Sequence, residues 1–388
     1  MQFSKRLESF GDEIFASLNE KKIALEKTGR TVYNMSVGTP DFPVSMRMRR
    51  ALADAAMDPD NWKYSLRDTP EMLEAVCDYY RRRFGVSITP DMVCSCAGTQ
   101  EGMGHIFMAL CDRGDTVILP NPCYPVFIAG CRMAEAEIAY YPMDESTNFL
   151  PDPATIPGET AREAKAFVVS LPSNPTGSCG NDEKYRELIA FAKANDLLLI
   201  HDNAYSDIIF DGNEGKSILS YEGADQTCVE FFSLSKSFNL TGARISFLVG
   251  RPDVIAAFRK LRSQIDFGMF LPLQKVAVAA LRTPLEEVEA QKREYQNRRD
   301  ALCGGLRSIG WDIPDSHGSM FVWAPIPDHY ADAMSFTLDL LEKAGVLTTP
   351  GESFGPAGTR FVRFALTLPV EKITEAVQTV DESGILKA

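Results

Sequence analysis

The sequence predicts an α/β protein: a mixed, mostly parallel seven-stranded sheet covered by helices, with a smaller α+β domain. Seven short apolar runs between residues 93 and 249 alternate with amphipathic segments, which is the pattern of strands joined by helical crossovers. The chain has 388 residues, more than a single hydrophobic core usually organises. A charge-dense helical stretch, 286–299, separates these runs from two further strand–helix pairs.

The large domain is predicted to span residues 44–280. An N-terminal segment, 1–43, precedes it and ends in the turn-rich run Gly38-Thr39-Pro40-Asp41-Phe42-Pro43. We assign this segment to an N-terminal arm and to part of the small domain. Strands of the large domain are predicted at 93–97, 116–119, 137–141, 166–170, 197–201, 229–233 and 245–249. Helices between them are predicted at 99–111, 124–133 and 182–194.

The small C-terminal domain is predicted to span residues 281–388. A helical stretch from 270 to 300 leads into it, and Thr283-Pro284 is expected to kink or break that stretch. Strands are predicted near 320–324 and 361–366, and helices near 331–344 and 370–382.

Composition argues against nucleic-acid and membrane partners. The chain carries 53 acidic and 40 basic side chains, a net charge of −13, whereas phosphate-binding surfaces are basic. No apolar run approaches the ~18 residues that span a bilayer. The N-terminal run Met1–Glu8 lacks the apolar region of a secretion signal. We therefore expect a cytoplasmic protein.

No metal site is expected. The nine cysteines include no Cys-x-x-Cys pair, and the four histidines show no ligand spacing. We interpret most of the thiols as small buried hydrophobic groups in a reducing compartment. Cys94 and Cys96 are expected on opposite faces of a strand.

Lys236 gives the most specific chemical signal, in the run Ser233-Leu234-Ser235-Lys236-Ser237. A desolvated lysine beside other cations is a nucleophile that forms a Schiff base with an aldehyde. The serine hydroxyls and Arg244, eight residues on, suit a phosphate. An aldehyde and a phosphate together indicate pyridoxal 5'-phosphate. The ordinary alternative is an exposed Ser/Lys loop.

Two further segments follow predicted strands at their carboxyl ends, where α/β sheets bind ligands. Asn174, in Ser173-Asn174-Pro175-Thr176-Gly177, could bond a ring hydroxyl or a substrate carboxylate. Asp202 ends an apolar run and needs a partner if it is buried, such as a protonated pyridine nitrogen. Tyr205 could donate to the ring oxygen. The alternatives are a plain Asn-Pro turn and a helix N-cap aspartate.

Three other signals are weaker when taken singly. Thr99, between a strand and a helix, could present its hydroxyl and nearby backbone N–H groups to a phosphate. Tyr124, in Asn121-Pro122-Cys123-Tyr124-Pro125, could stack on a flat ring or simply pack in the core. Arg363 suits bidentate carboxylate recognition, or is a surface charge.

Taken in order, these segments resemble the class I/II aminotransferases of the fold-type I pyridoxal-phosphate enzymes. The resemblance runs from about residue 30 to 380 and makes 44–280 the cofactor-binding domain. Within the family the chain is similar to the branch of alanine and LL-diaminopimelate aminotransferases. The motifs that carry it are Gly38-x-Pro40-Asp41, Tyr64, Gly98-Thr99-Gln100-Glu101-Gly102, Asn121-Pro122-x-Tyr124-Pro125, Asn174-Pro175-Thr176-Gly177, Asp202-x-x-Tyr205, Ser233-x-Ser235-Lys236, Gly242-x-Arg244 and Arg363.

The resemblance implies a role for each matched residue. Lys236 would form the Schiff base and carry a proton, with Asp202 and Tyr205 as its catalytic partners. The implied ring contacts are Asp202, Asn174, Tyr205 and Tyr124. The implied phosphate contacts are Thr99, Gln100, Ser233, Ser235 and Arg244, with Tyr64 reaching in from the partner subunit of a homodimer with shared active sites. The implied substrate-carboxylate contacts are Arg363, Gly38 and Asn174.

The implied reaction moves an amino group from an L-amino acid to a 2-oxo acid, such as 2-oxoglutarate, by a ping-pong Schiff-base mechanism. Three residues depart from the family pattern: Asp68 where Gly is usual, Glu74 where Arg is usual, and Gln100 where Lys is common. The first two put the local turn and the subunit contact in question. Candidate linings of the side-chain pocket are Phe15, Phe267 and Phe321, and the alternative for each is a core residue.

Other functions remain as alternatives. A C–S β-lyase on the same fold tends to have His before Asn-Pro and Pro before Ser-Lys, where this chain has Ser173 and Leu234. A non-catalytic regulator of this type would carry an added DNA-binding region, and only about 30 residues precede the resemblance. An NAD-dependent dehydrogenase is disfavoured because no Gly-x-Gly-x-x-Gly run follows a strand.

Overall fold

The computed structural model describes residues 1, 3, 4, 6, 7, 10 and 14–387, without the side chains of 14–16. In this part of the chain the strands are β1 Tyr33–Asn34, β2 Val93–Cys96, β3 Thr116–Asn121, β4 Glu137–Pro142, β5 Ala164–Ser170, β6 Leu198–Asp202, β7 Cys228–Ser233, β8 Ser246–Gly250, β9 Phe321–Pro325, β10 Val346–Leu347, β11 Thr349–Pro350 and β12 Phe361–Ala365. The α-helices are α1 Ile14–Glu26, α2 Met46–Met57, α3 Pro70–Phe84, α4 Thr99–Leu110, α5 Pro125–Met133, α6 Gly158–Glu163, α7 Asp182–Ala194, α8 Ala224–Thr227, α9 Leu234–Ser237, α10 Pro252–Arg262, α11 Leu271–Leu281, α12 Leu285–Ser308, α13 Ala333–Ala344 and α14 Val370–Ser383.

A seven-stranded sheet in the order β2-β8-β7-β6-β5-β3-β4 forms the centre of the fold. Only β8 runs against its neighbours, because it pairs antiparallel with both β2 and β7 while the other pairs are parallel. The predicted α/β fold class is therefore confirmed. Each of the seven predicted strands is present, with ends that differ by two residues or fewer.

Helices cover both faces of this sheet, so its strands are apolar at consecutive positions rather than alternate ones. In β5, Val168 packs on the face covered by α4, α5 and α10, whereas Phe167 and Val169 pack on the face covered by α7. Cys94 and Cys96 both belong to the first cluster. The expectation that they face opposite ways was wrong, because residues two apart in a strand share a face.

The outer edge of β2 is covered by Asp68. Its carboxylate accepts the backbone N–H of Ser95 at 2.8 Å and the Ser95 hydroxyl at 2.5 Å. Arg262 donates to the same hydroxyl at 2.8 Å. Unpaired edge groups are open to pairing with another chain. The departure at position 68 therefore has a structural role of its own, because the carboxylate pairs with an edge strand.

A second region is built on the antiparallel sheet β11-β12-β9 with α12, α13 and α14 around it. The helical stretch that leads into it breaks where predicted, since α11 ends at Leu281 and α12 begins at Leu285. β1 pairs in parallel with β10. The assignment of part of 1–43 to the small domain and the division at residues 43 and 280 stay predictions. Between residues 14 and 387, no helix combines the length and apolarity needed to cross a bilayer.

Candidate active site

A cavity of about 790 Å³ opens at the carboxyl ends of the parallel strands. The sheet places it there because the segments that follow β2, β3, β5, β6 and β7 all emerge at one edge. Twelve of the thirteen predicted site residues line it: Gly38, Thr99, Gln100, Tyr124, Asn174, Asp202, Tyr205, Ser233, Ser235, Lys236, Arg244 and Arg363.

Lys236 lies in the four-residue helix α9, directly after β7. The Ser233 hydroxyl begins that helix by accepting the backbone N–H of Ser235 at 3.1 Å. The Lys236 Nζ donates to the Gly38 carbonyl oxygen at 2.6 Å. Burial, followed by the charges of Arg363 and Arg244, lowers the pKa of the Lys236 amine to about 8. The lysine is thus an amine with a substantial neutral, nucleophilic fraction.

Asp202 is the buried last residue of β6. Its Oδ1 has no hydrogen-bond partner among the described residues, although Asp202 lines the cavity. Burial raises the pKa of Asp202 to about 6, against the opposing influence of His201. Above that pH the Asp202 side chain is an anion whose Oδ1 is free to accept a hydrogen bond. A buried carboxylate is stable in this form only if a partner can reach the free oxygen.

Arg363 is held rigidly in β12. Its Nη1 donates to Asn174 Oδ1 at 2.8 Å and its Nη2 to the Ser36 carbonyl at 2.9 Å. The guanidinium carbon lies 4.0 Å from the ring centre of Phe321 and 4.6 Å from that of Phe354. Within the described chain Nε has no partner. Burial lowers the pKa of Arg363 to about 10, so it remains a cation at neutral pH and suits a carboxylate.

A third corner of the cavity lies at the start of α4. Gly98 precedes this helix with φ +85°, and a Cβ atom there would overlap the Arg244 guanidinium. The buried Thr99 hydroxyl has no partner among the described residues. A helix N-terminus, an open hydroxyl and a guanidinium are groups that suit a phosphate dianion.

The family description "Aminotransferase class I and II" matches residues 30–380. The chain belongs to the class I and II aminotransferases. LL-diaminopimelate aminotransferase 2 of Trichormus variabilis is 38% identical, with 99% of each chain covered. The solved structure of substrate-bound BacF from Bacillus subtilis is 33% identical with a TM-score of 0.94, covering 98% of each chain. An aminotransferase structure from Staphylococcus aureus is 30% identical with a TM-score of 0.91 over 100% of both chains.

The aminotransferase is therefore a pyridoxal-phosphate-dependent transaminase of the predicted branch, and the C–S lyase alternative gains no support. Its cavity fits that cofactor on structural grounds. The free Asp202 acceptor suits a pyridine N–H, and the open Thr99 hydroxyl beside Arg244 suits a phosphate. Burial also raises the pKa values of Tyr124 and Tyr205, which keeps both phenols as hydrogen-bond donors.

Several cavity residues of the aminotransferase had no signal in the sequence. Val126 and Ala129 lie three residues apart on α5, Val37 comes from a loop, and Phe354 ends a short 3-10 helix, Gly351–Phe354. Their apolar side chains resemble any core residue, and only helical spacing could have suggested the first two. Of the three candidate phenylalanines, Phe321 lines the cavity; Phe15 lies outside the described side chains.

Tyr64 and Phe267 lie away from this cavity. Tyr64 is 82% exposed, and its ring centre is 5.7 Å from that of Phe267. Phe267 does not line the cavity of its own chain, and its place in a side-chain pocket stays a prediction. Contact of Tyr64 with a partner's cofactor stays a prediction. Glu74 is an exposed residue of α3, and Gln100 lines the cavity.

Beneath the reactive lysine of the aminotransferase is a buried carboxylate that sequence reasoning missed. Asp207 accepts the Ser237 hydroxyl at 2.5 Å, the Tyr79 phenol at 3.1 Å and Arg83 Nε at 2.7 Å. These bonds tie α9, which carries Lys236, to α3. Asp207 therefore holds the helix that carries Lys236 in place.

Proposed function

We propose that this aminotransferase moves an amino group from an L-amino acid to a 2-oxo acid in two half-reactions at one site, with 2-oxoglutarate as the acceptor. The observation that carries the proposal is the convergence of a reactive amine, a free acceptor and a rigid guanidinium in one cavity. Lys236, Asp202 and Arg363 provide them. Pyridoxal phosphate supplies an aldehyde and an electron-accepting ring when bound.

We assign the ring contacts to residues at the strand ends. Asp202 accepts the pyridine N–H and is its charge partner. Asn174 and Tyr205 donate to the ring oxygen, and Tyr124 lies against the ring face. The proposed phosphate contacts are Thr99, Gln100, Ser233, Ser235 and Arg244. Orientation of the ring by several fixed groups reduces the entropy lost on reaching the reactive geometry.

Lys236 has two proposed tasks. Its neutral amine would bond to the cofactor aldehyde with loss of water, and, once the substrate amino group has displaced it, the freed Nζ would carry a proton to and from the substrate α-carbon. The lowered pKa of this amine supports both tasks, because a base must be partly neutral at the working pH. The cations that lower this pKa are Arg363 and Arg244, so the substrate and phosphate sites also tune the amine.

Arg363 is proposed to bind the substrate α-carboxylate, helped by Gly38 and Asn174. The Asn174 amide oxygen already accepts Arg363 Nη1, which fixes the guanidinium plane. The Gly38 carbonyl accepts Lys236 Nζ, so the amine and the carboxylate site meet at this residue. A substrate bound by its carboxylate at Arg363, with its α-carbon beside the Lys236 amine, would be held in one orientation, which supports stereospecific proton transfer.

We propose a homodimer in which Tyr64 of each subunit contacts the partner's phosphate. Support comes from a cluster of exposed aromatic side chains on one side of the molecule. Trp62 and Tyr64 are 65% and 82% exposed, and their rings contact those of Phe270 and Phe267. Exposed apolar patches of this kind mark interaction surfaces.

The first experiment is an absorbance titration of the loaded protein with L-amino acids and then 2-oxo acids. LL-diaminopimelate leads the panel because relatives of that name align over the whole chain. Transamination would move the cofactor band from about 420 nm to about 330 nm, and a 2-oxo acid would restore it. Lys236→Ala is the matched control and should show neither change. A band that persists with every donor, or that vanishes with release of pyruvate and ammonia, would refute the proposal.

A further inference from the structure

The long helix α12 packs in two separate cores of the fold. Val288, near its start, packs in the same core as Leu234 of α9, the helix that carries the reactive amine. Tyr295, two turns later, packs in the same core as Phe364 of β12, the strand that carries the substrate-carboxylate site. One unbroken helix therefore joins the two parts of the molecule that the proposed reaction brings to bear on one substrate. The reaction proposed above uses no side chain of α12.

Gln291, in the first half of α12, is hydrogen-bonded to the backbone of the reactive lysine. Its Nε2 donates to the Lys236 carbonyl oxygen at 2.9 Å, and its Oε1 accepts the side-chain amide of Asn239 at 2.8 Å. The last carbonyl groups of a helix have no partner within that helix, and α9 is only four residues long. Gln291 therefore supplies, from a distant part of the chain, a partner that α9 cannot provide for itself.

Arg298, seven residues further along α12, is buried and bonded to the other side of the site. Its guanidinium donates to both carboxylate oxygens of Asp41, at 2.6 and 3.0 Å, and Nη1 also donates to the Leu366 carbonyl at 3.1 Å. Asp41 lies three residues after the carbonyl that accepts the Lys236 amine. Leu366 directly follows β12, the strand that carries Arg363. Arg298 thus fastens the substrate-carboxylate site to α12.

We propose that α12 is a spacer that sets the distance between the Lys236 amine and the Arg363 guanidinium. Gln291 and Arg298 are the positioning residues of this spacer. The inference rests on the proposed function, in which the two groups hold one substrate. Seven residues of α-helix make about two turns, so the two anchors lie on one face of α12, ~10 Å apart along its axis. Proton transfer at the substrate α-carbon depends on the distance that they set, because a misplacement of about 1 Å can cost about 100-fold in rate.

The amine and the guanidinium require a spacer because both are positively charged whenever the amine is protonated. Arg363 is the leading charged neighbour of Lys236, followed by Arg244, and the Asp202 carboxylate acts in the opposite direction. Like charges repel each other, and the repulsion weakens as they separate. Release of either end of α12 would therefore let the amine and the guanidinium move apart. A bound substrate would then meet only one of the two groups in the reactive position.

The first test follows this separation in cofactor-free protein. Gln291→Met and Arg298→Met each remove the hydrogen bonds of one anchor and keep an unbranched side chain in its place. In either variant, the pH at which cofactor capture by Lys236 levels off should rise by at least ~0.3 unit, since a more distant cation lowers the pKa of the amine less. Gln291→Met changes no charge, so a shift in that variant comes from geometry alone. Arg293→Met, at an exposed position of the same helix, is the control and should leave the levelling point in place. An unchanged levelling point in either anchor variant would overturn the proposal.

The second test is a double-variant cycle on turnover per bound cofactor, a measure that excludes unfolded protein. We expect Gln291→Met and Arg298→Met each to lower kcat about tenfold. The cofactor Kd should stay unchanged, since neither side chain lines the cavity. Independent losses at sites this far apart would multiply to about 100-fold in the double variant.

A shared spacer predicts instead that the double variant loses little more than either single variant, because release of one end already frees the distance. Multiplied losses, or single variants as active as Arg293→Met, would refute the spacer. Failure of the wild-type protein to transaminate would refute the proposed function, and the levelling point in cofactor-free protein would still decide the role of α12.

Discussion

The lowered pKa of Lys236 predicts how fast the cofactor-free protein captures pyridoxal phosphate as pH changes. Only the neutral amine attacks the aldehyde. With a pKa of about 8 in place of 10.5, about one-tenth of the amine is neutral at pH 7 rather than ~0.03%, a gain of about 300-fold. The capture rate should rise about tenfold per pH unit below pH 8 and level off above it.

Stopped-flow absorbance of Schiff-base formation between about pH 6 and 10 measures this profile. Arg363→Gln removes one of the two cations that lower the pKa of the amine, so the levelling point should move to higher pH. Arg360→Gln, three residues away in the sequence and partly exposed, is the matched control and should leave it in place. A wild-type rate that keeps rising past pH 10 would show that the lysine is not perturbed, and the reasoning from burial and neighbouring cations would fail.

Three further predictions concern stability, cofactor affinity and assembly. Asp68→Ala should lower the free energy of unfolding by about 1–3 kcal/mol in urea denaturation, because it removes the carboxylate that pairs with the edge of β2. Substitution of the exposed Glu74 by Ala is the control and should change the free energy of unfolding by less than about 0.5 kcal/mol. Equal effects of the two substitutions would contradict the role of Asp68 at the sheet edge. Gly98→Ala should weaken cofactor binding at least about tenfold in equilibrium titration, because the new methyl group overlaps the Arg244 guanidinium. Gly114 has a similar φ of +88° and open space around it, so Gly114→Ala should leave cofactor binding unchanged. Light scattering should give a dimer, and Tyr64→Ala should raise the cofactor Kd about tenfold, the loss of one hydrogen bond to a charged group; a monomer with full affinity would refute the shared site.

Most strands of the large sheet were predictable because they are buried on both faces and therefore form largely apolar runs. The edge strand β4 is the exception, since Glu137 and Tyr140 are exposed. The break before Leu285 was predictable for a local reason as well, since it depends on one proline. The cavity residues followed from position in the chain, because polar groups placed after buried strands collect at one edge. In each case the signal lies within a few neighbouring residues.

Contacts between distant parts of the sequence were not predictable in this way. Asp207 meets Tyr79 across 128 positions, and Glu230 meets Tyr80 across 150, and neither acidic residue carries a local mark of its partner. Asp68 was read only as a departure from a turn, since its partner Ser95 is defined by the edge of the sheet. Assigning chemistry to such residues requires the fold first.

The short pairing of β1 with β10 has a consequence for how the site holds together. Beyond that pairing, the Ser36 carbonyl accepts Arg363 and the Gly38 carbonyl accepts Lys236. The single stretch of backbone 33–38 therefore pairs with β10 and also accepts hydrogen bonds from the Arg363 guanidinium and the Lys236 amine. The carbonyl that accepts Arg363 and the carbonyl that accepts Lys236 are thus linked by three consecutive peptide units, with no side chain in between. Cleavage of the chain within this stretch would therefore disconnect both ends of the site while leaving every proposed catalytic side chain in the protein.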